Sequence, residues 1–378
     1  LMMISTSREQ VAAAAGRLRA QSSVESLSST SAFRDAAEDR GASLLYAWAN
    51  SQRAAPLVER FMRDELHGEE LLIAQTVLNL RQVEYASFSA GANESGLTAE
   101  TVVRFTPDHQ HLLYGLIRTA SISPDAWALA PKNAAAVLAV GLNPPSANES
   151  GETTERPQSI ALMDFGREIF ANLESATMFV VPGKGPMPDV GLALKARDAE
   201  KSQRLWNELL SLPSRLGVLP PTAAGQTEIA GYEASIYRFP DAPPIVVVAA
   251  GEGALLCGAA GAVEASLTAI DSEDAVNGHP VLGSMIEKTG VATSKALYVS
   301  AAGVLRCATQ TMGSRGRREA EAIAPILKDT VAGFTVDEGP DELRIRFEVA
   351  GVPRVADVLR EVGRLQGVRT AYAGPVED

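Results

Sequence analysis

The chain has 378 residues, enough for two or three domains at about 100–200 residues each, and its 34 basic and 46 acidic residues give a net charge of −12. That balance argues against a nucleic-acid binder, which needs a basic stripe to neutralise phosphates. With 46% hydrophobic residues a sizeable core is expected and wholesale disorder is excluded, and no apolar run reaches the roughly 18 residues of a membrane-crossing helix.

In chain order, Leu1-Met2-Met3-Ile4-Ser5 reads as a strand already under way. The expectation is that further residues precede Leu1, and with them any signal peptide. Val11, Ala15 and Leu18 fall at the spacing of a buried helical stripe, and Phe33 marks a second short helix. Leu44 to Trp48 is a strand, and residues 57–80 form one long helix with Leu57, Phe61, Leu72 and Leu80 among its apolar positions. The strands Tyr85–Phe88 and Val103–Phe105 come next, then a helix start at Thr106-Pro107, with proline suited to the first turn. Val137 to Val140 is a strand, 143–159 an exposed loop with three prolines, and Met178–Val181 pairs with Val190–Lys195 as a hairpin. Leu205, Trp206, Leu209 and Leu210 mark a helix. Ile245 to Ala249 is continuously apolar, as in a central strand covered on both faces, and Gly251-Glu252-Gly253 turns it into Ala254-Leu255-Leu256. In Leu343 to Val349 strict alternation gives one buried and one wet face. Phe347 is expected on the helix-covered face, with Arg344, Arg346 and Glu348 outside.

The chain also resembles itself. Met3 to Ala49 aligns without a gap on Leu255 to Ala301, bringing Tyr46 onto Tyr298. Tyr85–Phe88 then resembles Val331–Phe334, and Val103–Phe105 resembles Ile345–Phe347. A module of strand, helix, hairpin and helix recurs at 42–120, 133–212 and 294–365. A module of strand meander and two short helices is complete at 225–293 and truncated at 1–41, and 366–378 is a tail. The expected fold is α+β: duplicated modules of antiparallel sheet with helices packed on one face.

The segments Ile4-Ser5-Thr6-Ser7-Arg8-Glu9-Gln10-Val11, Ser28-Ser29-Thr30-Ser31-Ala32-Phe33 and Leu44 to Asn50 give the chain a family likeness. It resembles an uncharacterised bacterial family of exported, repeat-built proteins, a domain of unknown function. The resemblance implies export, repeated sheet-and-helix units and no assigned catalytic residues.

Reactive groups are sparse. Gly251 to Leu256 fails the dinucleotide fingerprint, because Leu256 stands where its last glycine belongs and a strand, not a helix, follows. Gly183-Lys184-Gly185 lacks the phosphate-loop spacing and reads as a hairpin tip. Asp108, His109 and His111 are the densest set of metal-ligand types, but on a helix two residues at i and i+2 point apart. His67 sits among Glu65, Glu69 and Glu70, and His279 precedes Pro280. The two cysteines, Cys257 and Cys307, are too few for a disulfide scaffold or a four-ligand zinc site; they read as small buried hydrophobes, with pairing open. Arg315, Arg317 and Arg318 read as a solvated turn or helix start, and no G-x-S-x-G elbow occurs.

No catalytic, cofactor-binding or metal residue is therefore assigned, and no cofactor is expected. The expected function is that of a non-catalytic, repeat-built, exported scaffold or binding surface, with a protein partner or a cell-envelope contact. The alternative is an enzyme whose site is assembled between modules. The expected location is periplasmic, cell-surface or extracellular.

Overall fold

The computed structural model describes residues 30–38, 43–93, 96–142, 172–202, 204, 206–207, 222–238, 243–272, 274–288 and 293–365. The opening strand, the first helical stripe, the 143–159 loop, Leu205, Leu209 and Leu210, and the 366–378 tail lie outside these residues.

The protein is α+β, built on one antiparallel sheet. Its strands are β1 Leu45–Asn50, β2 Val83–Asn93, β3 Gly96–Phe105, β4 Ala136–Gly141, β5 Leu173–Val181, β6 Asp189–Ala196 and β7 Thr222–Ile229. They continue with β8 Tyr232–Arg238, β9 Ile245–Ala250, β10 Ala254–Gly258, β11 Thr293–Ser300, β12 Val331–Glu338 and β13 Glu342–Ala350. Among the described residues the sheet has 13 strands in the order β1-β2-β3-β13-β12-β11-β4-β5-β6-β10-β9-β8-β7. Three sets of a strand and a hairpin thus lie side by side. Third strand meets third strand at β3·β13, and first strand meets first strand at β11·β4.

Helices connect the strands: α1 Ser31–Glu38, α2 Ser51–Glu65, α3 Glu69–Leu78, α4 Leu112–Ile117, α5 Asp125–Ala128, α6 Ala260–Ser272, α7 Pro280–Lys288, α8 Ala301–Thr309, α9 Ser314–Ile323 and α10 Val355–Leu365. On α6, Val263 and Leu267 carry the expected stripe and are fully buried. They join Phe179, Val248, Leu256 and Val137 in the main core. Met285 on α7 and Trp127 beside Tyr298 extend this core, and Ala32 and Ala36 of α1 pack on Tyr85 and Val102. These contacts all lie on one face of the sheet. The other face is covered in two places: Trp206 packs with Val247, Leu255 and Leu173, and Tyr114 of α4 packs with Phe105, Val103 and Leu343. Strand β9 is enclosed from both sides beside Trp206, which is why its sequence is apolar without alternation.

Three expectations are corrected. Residues 57–80 do not form one helix: α2 ends at Glu65 with Leu66 as its C-cap, and Gly68, at φ 60°, is the N-cap that starts α3. Leu57, Phe61 and Leu72 are largely exposed, so periodicity there marks no core stripe. Second, Tyr46 and Tyr298 are not equivalent. Trp48 stands opposite Ser87, and Tyr298 opposite Gly333; the helix-capping Asn50 and Ser300 then correspond, each accepting a hydrogen bond from the amide three residues on. The ungapped alignment is therefore two residues out of register here. A slip of two keeps every side chain on its face, so the apolar pattern could not expose it.

Third, the faces of β13 are reversed. Phe347 is 44% exposed, whereas the Arg344 side chain is 17% exposed and lies on the helix-covered face. Charge is tolerated there because it is paired. Glu100 binds Arg344 at 3.1 Å and Arg346 at 2.7 Å; Arg346 reaches Asp337 at 3.1 Å, and Glu342 bridges Arg344 and Arg104 at 3.0 Å each.

Candidate functional site

Strand alternation gives each ladder row one face, so the register shows what is carried by the face that the described residues leave largely open. Phe347 stands opposite Phe334, Phe334 opposite Leu297, Leu297 opposite Leu138, and Leu138 opposite Met178. In the other direction Phe347 faces Ala99, Ala99 faces Ala90, and Ala90 faces Leu45. The adjacent row holds Leu97, Val349, Ala332 and Val299. Phe88 at 36%, Phe334 at 41%, Met178 at 43% and Leu97 at 54% are open to solvent. An antiparallel sheet with one wet face normally presents polar residues there. Here the charged side chains of β3 and β13, and Asp337 of β12, turn to the covered face, and the band around Phe334 and Phe347 is alanine, valine, leucine, isoleucine, phenylalanine and methionine, with Thr101 among them. Charge enters at its margin, where Lys295 meets Glu338 at 2.6 Å beneath Thr119.

Sequence reasoning missed this surface because alternation separates two faces without saying which one is covered. The available signal was that the apolar residues of many strands share one side.

A groove of about 980 Å³ opens between α6, α8, α9 and the 131–133 loop. Its charged residues largely serve each other: Lys132 binds Asp274 at 3.1 Å, and Lys184 lies 3.6 Å from Glu264. His279 lines the groove, and its Nδ1 accepts the Leu282 amide at 3.2 Å, capping α7. Burial holds its imidazole below the ordinary range, with Lys132 and Arg306 adding to the effect and Asp329 opposing it. Because the folded pKa lies below the unfolded one, the unfolded chain binds the proton more tightly. Stability is expected to be lost as pH falls through about 6.5 towards the folded value. Urea unfolding at pH 7.5 and at pH 5.5 should show this fall in the parent. It should be smaller in His279→Asn, which keeps a capping side chain but does not titrate.

The histidine pair does not sit on a helix as expected. Residues 106–111 form a turn, with Asp108 in the left-handed region at φ 57°, and α4 begins only at Leu112 with His111 as its cap. His109 stacks on Phe105 at 4.5 Å, its Nε2 donates to the Pro340 carbonyl at 2.9 Å, and its Nδ1 accepts the His111 amide. His111 Nε2 donates to the Leu78 carbonyl at 2.9 Å, and its Nδ1 accepts the Tyr114 amide. Each ring spends both nitrogens on the backbone, tying this turn to the β12–β13 turn and to α3. Among the described residues no three His, Cys, Asp or Glu converge as metal ligands.

Cys257, on β10, and Cys307, on α8, are free thiols. Burial pushes Cys257 up to about 11, so it is protonated at neutral pH and a poor nucleophile. Arg317 and Arg318 lie in the first turns of α9, where the Arg317 amide donates to the Gly313 carbonyl. Gly251–Gly253 is a 3-10 turn inside the β9–β10 hairpin, and Gly183–Gly185 lies in the β5–β6 connection, so neither is a nucleotide loop. No helix among the described residues is long and apolar enough to cross a membrane. No family model, curated protein or solved structure matches the chain.

Proposed function

We propose that this chain is a non-catalytic scaffold or binding protein whose working surface is the uncovered apolar face of the sheet. One observation carries the reading: from β2 to β5 in sheet order a band of that face runs through Phe88, Leu97, Phe347, Phe334, Leu297 and Met178, exposed and apolar where solvent would favour polar residues. Large exposed apolar surface is retained against its cost in solubility when something covers it in use. The groove supports an enzymatic reading less well, since its lysines pair with neighbouring carboxylates and its histidine serves as a helix cap.

The repeat-built reading draws support from strand order and caps rather than from the ungapped alignment. Each of three sets supplies one strand and one hairpin, and the sets abut like strand to like strand. In two of them a capping Asn50 or Ser300 ends the first strand and starts a helix. Export and a periplasmic, cell-surface or extracellular location rest on the family resemblance, and fractionation of the native host tests them.

The variant Phe334→Ser/Phe347→Ser tests the surface itself. Both residues are more than a third exposed, so each substitution should move folding stability by no more than about 0.5 kcal/mol. The parent is expected either to take up an apolar dye such as bis-ANS or to associate through this face, and the variant to do neither. A folded parent that shows neither behaviour would overturn the proposal.

A further inference from the structure

We infer that the uncovered face is occupied by a second copy of this chain, the two sheets packing face to face in a symmetric dimer. The inference rests on the binding-surface reading above and names its partner. Three observations select this occupant.

The first is area. Phe88, Leu97, Met178, Leu297, Phe334 and Phe347 are each 36–54% exposed. At roughly 150–250 Å² per large apolar side chain, these six alone offer on the order of 500 Å². The half-buried alanines, valines and leucines between them bring the face towards the about 800 Å² per partner of a stable interface. Homodimer interfaces are also the ones most depleted in charge.

The second is charge. A different protein recognised electrostatically would need unpaired charge around the patch. On these strands Glu100, Arg344, Arg346 and Asp337 instead point to the opposite face and neutralise one another. Lys295 and Glu338, at the margin, are paired as well. An anionic lipid surface is disfavoured by the chain's net charge of −12. A second copy carries the same net charge, but its neutral face brings no like charges into contact.

The third is shape. The surface is a regular antiparallel sheet, and two such sheets pack with strands about 30° apart, their side chains interdigitating. In a two-fold arrangement each patch contacts its own copy, so a single self-complementary surface suffices. Phe334 and Phe347, directly opposed on β12 and β13, supply the large side chains for its centre.

Sedimentation velocity on the full chain over a range of concentrations tests this. A dimer is expected that persists at high salt, because its contact is apolar. Phe334→Lys/Phe347→Lys should weaken it at least about 100-fold, and Met178→Lys/Leu297→Lys should do the same from separate strands. Lys288→Glu, on α7 over the covered face, should leave it intact. Circular dichroism and the urea midpoint establish that each variant is folded. A parent that is monomeric at all concentrations, or a dimer indifferent to both face variants, overturns the inference. A monomer that takes up bis-ANS, or pellets with phosphatidylcholine vesicles, through residues the variants remove overturns the second copy but leaves the binding surface standing. A monomer that does neither overturns both.

Discussion

Replacing Phe179 with alanine is expected to cost about 3–5 kcal/mol, a large share of the stability of an ordinary domain. Its ring is 1% exposed on β5, in the cluster that holds Val263 and Leu267 of α6. Strand β6 makes room for it with Gly191, where a Cβ would lie 2.4 Å from the ring. Gly191→Ala alone should therefore destabilise by about 1–3 kcal/mol through overpacking. The double variant Phe179→Ala/Gly191→Ala should cost clearly less than the two single effects combined, because removing the ring removes the clash. Urea midpoints of the four proteins provide the cycle. Strict additivity would show that ring and glycine do not share the space.

Lys295→Met is the second substitution with a large expected effect, about 3–5 kcal/mol. The Glu338 side chain is 1% exposed and accepts from Lys295 Nζ at 2.6 Å and from the Thr119 amide at 2.8 Å. Lys295 Nζ also donates to the Ile117 carbonyl at 2.9 Å, so one ammonium ties β11, β12 and the last residue of α4 together. Without it a buried carboxylate keeps only part of its solvation. Replacing both partners, Lys295→Met/Glu338→Leu, removes the stranded charge and should recover much of the loss. Guanidinium chloride would screen the pair, so urea is the denaturant of choice. A double variant as unstable as Lys295→Met would assign the cost to lost packing instead.

Much of the local structure was legible in the sequence. The unbroken run Ile245–Ala249 announced a strand enclosed on both sides, and Val263 and Leu267 announced the buried face of α6. The Met178–Val181 and Val190–Lys195 hairpin was likewise readable from its own residues. Distant choices were not readable. Whether Phe347 or Arg346 faced the helices depended on Glu100 and Asp337, which reach β13 only through strand pairing. The two histidines read as a helical pair because Thr106-Pro107 resembles a helix start. The positive φ at Asp108 and the carbonyls of Pro340 and Leu78, which engage the rings, are tertiary facts. The apolar face was written in the sequence as alternation, but alternation is silent about which side is covered.

The place of β11–β13 in the sheet has a consequence for how the chain is made. Strand β3 finds its outer neighbour only in β13, 238 residues later at the Arg104–Glu342 pair, and β4 finds its own only in β11. Until the last of these strands emerges during synthesis, the two halves of the sheet each present a bare edge flanked by apolar surface. Such edges are templates for wrong pairing, and pairings this distant in sequence form slowly. The C-terminal hairpin is thus a keystone. A chain terminated before Thr293 would leave two unjoined sheets that stick to other chains, and a newly made full-length chain would need a holding chaperone for longer than its size alone implies.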